Sequence, residues 1–156
     1  MGEYNISDNL KTGAFLTVKC KDKVNTMTIG WAFEGVIWQK NVFVVLVRES
    51  RYTYELLKDA EYFTVSFPQK GTFTEALRYF GTASGRDEDK YKSGLLTLKE
   101  ASAADGFTVA GCEQNYECRI LYRQKLEPGS FDDKALLQQI YGSADMHSMF
   151  IGEIIN

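Results

Sequence analysis

VNTMTIGW, residues 24–31, lies in a run whose alternation marks a β-strand, yet it sets an Asn, two Thr and a Gly among its apolar residues and closes on a Trp. A strand of this kind presents main-chain N–H and C=O groups at a polar edge, and Gly30 removes the side chain that would block a planar ligand. Asn25 and Thr28 add donors and acceptors, and Trp31 adds an apolar wall whose indole N–H wants a partner. A plain barrel strand with solvent-facing threonines and a core tryptophan accounts for the same residues.

The neighbouring runs read the same way. GAFLTVKC at 13–20, TMTIGWAF at 26–33, VFVVLV at 42–47, YFTVSF at 62–67, FTVAGCE at 107–113, YECRILYRQKLE at 116–127 and SMFIGEII at 148–155 predict about seven strands, hence a closed antiparallel sheet. Helical signals are short. TYELLKDA at 53–60 offers Thr53 as N-cap, TFTEALRYFG at 72–81 offers a Thr72/Glu75 capping box with a stop at Gly81, and DDKALLQQIYG at 132–142 is capped by Asp132 or Asp133 and ended by Gly142. GTASGRDEDKYKSG at 81–94 reads as a polar loop with a helical turn begun at Asp87. No repeat or linker divides the chain, so residues 1–156 are expected to form a single domain.

Composition removes several classes of function. With 44% hydrophobic residues, 25% charged residues, a net charge of −3 and no basic run beyond KCKDK at 19–23, the chain is globular and unsuited to nucleic acid or anionic membranes. No apolar run approaches the roughly 20 residues that span a bilayer. The N-terminus lacks the shape of a signal peptide, and Gly2 lacks the hydroxyl residue that a myristoylation pattern needs four positions on; a cytoplasmic protein is expected. Cys20, Cys112 and Cys118 have no CxxC spacing and read as packing thiols, and the sole histidine, His147, builds no metal site with its neighbours.

Two further patches suit an anion. In RESRYTYELL at 48–57, Ser50, Arg51 and Thr53 gather at the predicted start of a helix, where an arginine grips an oxyanion bidentately. Ser84, Gly85 and Lys90 in the polar loop supply a hydroxyl, an open backbone and a point charge. Thr53 as a simple cap, with solvated arginines and a solvated loop, explains these residues equally well. GxGxxG and GK[ST] are both absent from the sequence.

The ordered series VNTMTIGW, VLVRESRYTYELLKDAEYFTVSF, GTASGRDEDKYKSGL and MHSMFIGEII resembles the FMN-binding split-barrel proteins of the flavin reductase-like family, which includes flavoredoxins, from about residue 11 to the end. The resemblance implies a mainly β fold, a Greek-key split β-barrel with short peripheral helices, assembled as a homodimer with FMN near the subunit interface. It places Asn25, Met27, Thr28, Ile29, Gly30 and Trp31 beside the flavin ring and its tail. It gives Ser50, Arg51 and Thr53 to the phosphate and ribityl chain, makes Ser84, Gly85 and Lys90 further polar contacts, and puts His147 near the ring edge or across the dimer interface. WAFEGVIWQKN at 31–41 departs from the pattern by lacking a proline pair, and the sequence is short for the family and ends soon after GEI, so a C-terminal substrate-covering tail is not expected.

The activity implied is an FMN-dependent oxidoreductase fed by NADH, NADPH or a redox protein, and no catalytic side chain need exist, since the cofactor carries the chemistry. The alternatives are a non-catalytic FMN-binding electron carrier or redox sensor, and a related split barrel that binds another phosphate-bearing cofactor or haem, with His147 as its one axial ligand.

Overall fold

The computed structural model describes residues 5–142 and 144–156; Gly2 lies outside them. Helix α1 (Ile6–Leu10) leads into strands β1 (Ala14–Cys20), β2 (Lys23–Ile29), β3 (Ala32–Ile37) and β4 (Lys40–Arg48). Helix α2 (Tyr52–Leu57), strand β5 (Tyr62–Phe67) and helix α3 (Thr74–Thr82) follow, then a ribbon of β6 (Leu98–Glu100) and β7 (Phe107–Val109). Strand β8 (Gln114–Lys125), helix α4 (Lys134–Tyr141) and strand β9 (His147–Ile154) complete the chain. The fold is mainly β, as expected.

Seven strands form one antiparallel sheet in the order β2-β1-β5-β8-β9-β4-β3. Its two edge strands, β2 and β3, are consecutive in the chain and joined only by Gly30 and Trp31. So short a link forces the sheet to roll until its edges approach each other, which makes a barrel with an open seam. The Leu46 N–H donates to the Trp31 carbonyl at 3.3 Å and ties β4 to the link. TMTIGWAF is therefore two strands and not one, because the chain turns at Gly30 to change edges.

Tight turns set the register on both sides of the seam. Cys20 pairs with Lys23 around Lys21–Asp22, and Ile37 pairs with Lys40 around Trp38 and Gln39, both left-handed at φ 54° and 58°. Two successive positive φ values match the right-handed twist of a hairpin, here without the usual Asn-Gly.

Inside the roll, Leu16, Met27, Phe43, Phe63, Val65 and Phe150 meet in one core. Burying each large apolar side chain stabilises the fold by about 1.5–3 kcal/mol. Strand β1 is covered on its other face too: Phe15 packs with Ala76, Phe80, Leu96 and Val109 beneath α3 and the β6–β7 ribbon. The polar residues of that outer face are bonded rather than hydrated. Thr17 and Thr26 share a hydrogen bond of 2.8 Å, Thr26 meets the Tyr91 hydroxyl at 2.8 Å, and Thr64 donates to the Phe107 carbonyl at 2.6 Å.

The helix ends differ in part from the sequence signals. Asp133 caps α4 by accepting from the Leu136 N–H at 3.0 Å. Helix α2 begins after Arg51 with no side-chain cap, and Thr53 lies inside it, fully buried. Thr72 makes no capping box: its hydroxyl donates to the Gln69 carbonyl, and α3 starts after a left-handed Phe73. Gly81 does not stop α3, which runs to Thr82; a Cβ on Gly81 would come within 3.3 Å of Thr28 Cβ, so the glycine lets the helix press on β2. The turn expected from Asp87 begins later, as a 3-10 turn over Lys90–Ser93 capped by Asp89.

Strand β9 crosses the core at Gly152, where an added Cβ would sit 2.7 Å from Cys118 Cβ and 2.7 Å from Phe63 Cε1. Both neighbours are fully packed, so neither can give way cheaply. Gly152→Ala is expected to destabilise the protein by about 1–3 kcal/mol, read as a lower urea midpoint with an unchanged slope.

Candidate functional site

The seam of the barrel opens into a cavity of about 250 Å³ lined by Met27, Thr28, Ile29, Gly30, Trp31, Leu46, Arg48, Arg51 and His147. The end of β2, the edge-changing link, the end of β4 and the start of β9 converge there because the rolled sheet brings both its edges to one place. Gly30 is open: an added Cβ would meet only the Leu10 carbonyl, at 3.4 Å. Trp31 is 46% exposed instead of buried, and its ring lies 4.6 Å from that of His147 at an interplanar angle of 35°.

Further along, the three sequence patches come together. Asn25 Nδ2 donates to Thr53 Oγ1 at 2.8 Å, which joins β2 to α2. The backbone of Gly85 lies against this pair, so close that a Cβ would fall 2.3 Å from Asn25 Oδ1 and 2.9 Å from Tyr52 Cδ2. Arg51 is partly buried and donates from Nη1 to the Gly81 carbonyl at 3.1 Å, tying α2 to α3. Burial lowers the pKa of its guanidinium.

Lys90 is 2% exposed. Its ammonium donates to the Ala83 carbonyl at 3.3 Å and lies 5.1 Å from the centre of the Phe80 ring. Burial first, and then the nearby Arg51 charge, bring its pKa down to about 8, with Glu88 partly opposing. Among the described residues neither Arg51 nor Lys90 has an ion-pair partner. The buried Lys90 and the half-buried Arg51 are thus neighbouring cations with no carboxylate in ion-pair contact, an arrangement that can accept an oxyanion.

His147 is 7% exposed, with Nδ1 2.7 Å from the Tyr141 hydroxyl. Burial, then Arg48, hold its pKa down to about 4 against the opposing pull of Asp145, so the ring is neutral at physiological pH.

Other expected residues sit differently. The Ser50 hydroxyl donates to Asp145 Oδ2 at 2.6 Å, and its N–H donates to Oδ1 at 3.3 Å, which ties β4 to the approach of β9 and leaves Ser50 outside the cavity lining. Ser84 Oγ accepts from the Arg86 N–H at 3.2 Å within its own loop. Thr28 donates to the Leu77 carbonyl at 2.6 Å. Leu46 and Arg48 line the cavity without having been singled out; the end of an apolar strand gives no sign of which residues will face a seam. Among the described residues there is no group of His, Cys, Asp and Glu that could hold a metal, and no helix long and apolar enough to cross a membrane.

Comparison with known proteins bears on this arrangement. The model of the flavin reductase like domain family matches residues 10–156. An uncharacterized protein of Archaeoglobus fulgidus is 28% identical over 142 residues, covering 91% of this chain and 69% of its own. Flavoredoxin from Methanosarcina acetivorans is similar in structure with a TM-score of 0.69 at 28% identity, over 92% of this chain and 66% of that one. An FMN-binding protein from Thermus thermophilus, solved with bound 1-cyclohex-2-enone, gives a TM-score of 0.69 at 22% identity over 92% and 67% of the two chains. An NADH:FAD oxidoreductase of Streptomyces globisporus gives 0.70 at 18% identity over 92% and 72%. The last two establish likeness of fold alone.

The Lys90 charge, buried without an ion-pair partner among the described residues, makes a prediction for the ligand-free protein. Its folded pKa of about 8 lies below the ordinary 10.5, so the cost of burying the charge is fully present below pH 8 and relieved as pH rises toward the ordinary value. Lys90→Met is expected to raise the melting temperature at pH 7, and the gain over the parent protein should shrink between pH 8 and 10.5. Paired thermal melts across that range check both signs.

Proposed function

The chain belongs to the flavin reductase like domain family, and on that premise we propose that it binds FMN in the seam cavity and acts as an oxidoreductase, passing electrons from NADH, NADPH or a redox protein to an acceptor. The observation that carries this reading is the neighbouring cations Arg51, half-buried, and Lys90, buried, neither in an ion pair among the described residues, beside a cavity walled by an open glycine, an indole and a neutral imidazole. A phosphate tail and a flat heterocycle need these two halves.

The residues fit such a ligand. Arg51 and Lys90 would hold the phosphate, Gly85, Asn25 and Thr53 would line the path of the ribityl chain, and the 27–31 segment with His147 would border the ring. FMN, when bound, supplies hydride and electron transfer between a donor and an acceptor. The protein's part is to bind, orient and exclude water: the main chain at Gly30 allows close approach, and Trp31 covers apolar surface. Lys90 is held charged by the anion it pairs with, so binding above pH 8 takes up a proton and weakens as pH rises. The free thiols Cys20, Cys112 and Cys118 suit a cytoplasmic setting.

A homodimer fits the same reading. Phe33, Val36 and Trp38 on β3 and its turn, with Tyr122 of β8, are 52%, 72%, 56% and 42% exposed, and the Trp38 and Tyr122 rings lie 6.1 Å apart. Exposed apolar side chains gathered in this way suit a protein interface. Trp31, which lines the cavity, is also exposed and immediately precedes β3, so a second copy seated on the patch would lie close to the flavin.

Arg51→Ala should loosen FMN roughly ten- to a hundredfold, about 1.5–3 kcal/mol for one charge-assisted contact, while riboflavin, which lacks the phosphate, binds as before. Titration by flavin fluorescence separates the cases: equal weakening of both ligands would remove Arg51 from the phosphate, and no uptake of FMN by the parent protein would remove the reading. Consumption of NADH or NADPH by the loaded protein distinguishes turnover from a carrier or sensor role. Sedimentation across a dilution series, followed at flavin and protein wavelengths, should show dimer dissociation and FMN release together; a monomer that keeps its FMN would place the whole site within one chain.

A further inference from the structure

The Tyr141–His147 contact closes the end of α4 onto the first residue of β9, and both side chains are nearly buried, at 8% and 7% exposed. One proton lies between the phenol oxygen and Nδ1. The Tyr141 hydroxyl has no other hydrogen-bond partner among the described residues, so a proton on Nδ1 would leave the phenolic hydrogen without a partner in the protein. With the phenol donating, its proton is satisfied, Nδ1 uses its lone pair, and the neutral imidazole carries its own proton on Nε2.

The ring is held on several sides. Trp31 stacks on it at 4.6 Å and the Tyr141 ring meets it edge-on at 5.5 Å and 74°. Arg48 lies over Tyr141, with its guanidinium carbon 5.4 Å from the ring centre, and donates to the Asp145 carbonyl at 2.5 Å and the Ile140 carbonyl at 3.4 Å. That strap fixes the residues on either side of the α4–β9 connection. Nε2 makes no hydrogen bond to a described residue. Asn115 Oδ1 is the only fully buried side-chain polar atom without a partner among the described residues, so Nε2 is not sealed in and reaches the cavity that His147 lines.

We propose that Tyr141 is a positioning residue that fixes His147 as its Nε2–H tautomer and so presents a neutral hydrogen-bond donor to a carbonyl oxygen or ring nitrogen of the heterocycle held against Trp31. The identity of that heterocycle rests on the FMN reading above; the tautomer does not. The assignment divides labour within the site, with Arg51 and Lys90 meeting charge at the tail and His147 meeting an uncharged acceptor at the ring.

His147 is the only histidine in the chain, so nitrogen NMR of the uniformly labelled full chain reads its two ring nitrogens without further assignment. The expected result is a proton on Nε2 and a bare, hydrogen-bonded Nδ1 before any flavin is added. Tyr141→Phe should shift the Nδ1 signal and mix the tautomers. Titrating FMN into the parent protein should shift the Nε2–H resonance, and Tyr141→Phe should weaken FMN about three- to tenfold, the loss of one neutral hydrogen bond. A proton found on Nδ1, or ring nitrogens that Tyr141→Phe leaves unmoved, would overturn the assignment using the parent protein and one conservative variant. FMN that binds without disturbing Nε2–H would overturn the donor role. An Nε2–H tautomer in a protein that takes up no FMN would uphold the positioning by Tyr141 and remove the flavin reading.

Discussion

A link of two residues, Gly30 and Trp31, joins strands at opposite ends of a seven-stranded order, and most of the molecule follows from that shortness. The sheet has to roll, and rolling creates an interior where Met27, from one end of the order, meets Phe43 and Phe150, from strands near the other. It also leaves a seam, because β2 and β3 approach without completing a ladder. The cavity occupies that seam, so the constraint that shapes the core also supplies an opening with exposed main chain on its border.

Electrostatic cost concentrates at one side of this opening. Elsewhere the buried charge is satisfied: Glu117 accepts from the Ser102, Ala103 and Ala104 N–H groups and the Ser102 hydroxyl, and these bonds outweigh its burial and lower its pKa. Lys90 and Arg51 have only carbonyls. A protein that carries unpaired buried cations gains stability from any anion that reaches them, so ligand affinity and fold stability are linked at the same two side chains.

The strand pattern was legible because short apolar and β-branched runs along β1, β2, β4, β5, β8 and β9 fill the core these residues share. The family resemblance added the split barrel, and Asn25, Thr53 and Gly85, from three separate patches of the sequence, meet in the fold. What stayed hidden was long-range. The break at Gly30 depends on where β4 lies, and Gly81 carries a helix past a point where local chemistry reads as a stop, because Thr28 of another strand needs the space. Ser50 and Ser84 have the right chemistry for a phosphate, yet Asp145 and the backbone of Arg86 engage their hydroxyls. Arg48 gave no signal of its own, since only the pairing of β4 with β9 sets it opposite His147. The short ribbon of β6 and β7 has too few residues to show a period, and β3 exposes apolar residues where alternation would have buried them.

That exposure extends to optics. Trp31 and Trp38 are the only tryptophans, and both stand outside the core, at 46% and 56% exposed, while the interior aromatics are phenylalanines and tyrosines. Indole emission in this protein therefore reports first on events at the seam and at the β3–β4 turn rather than on the packing of the interior. A ligand that quenches Trp31 or a neighbour that covers Trp38 changes the signal while the fold stays intact. The collapse of the core has to be followed by near-ultraviolet dichroism of its tyrosines or by calorimetry, and disagreement between these probes and indole emission would be a property of where two residues sit, not evidence of an intermediate.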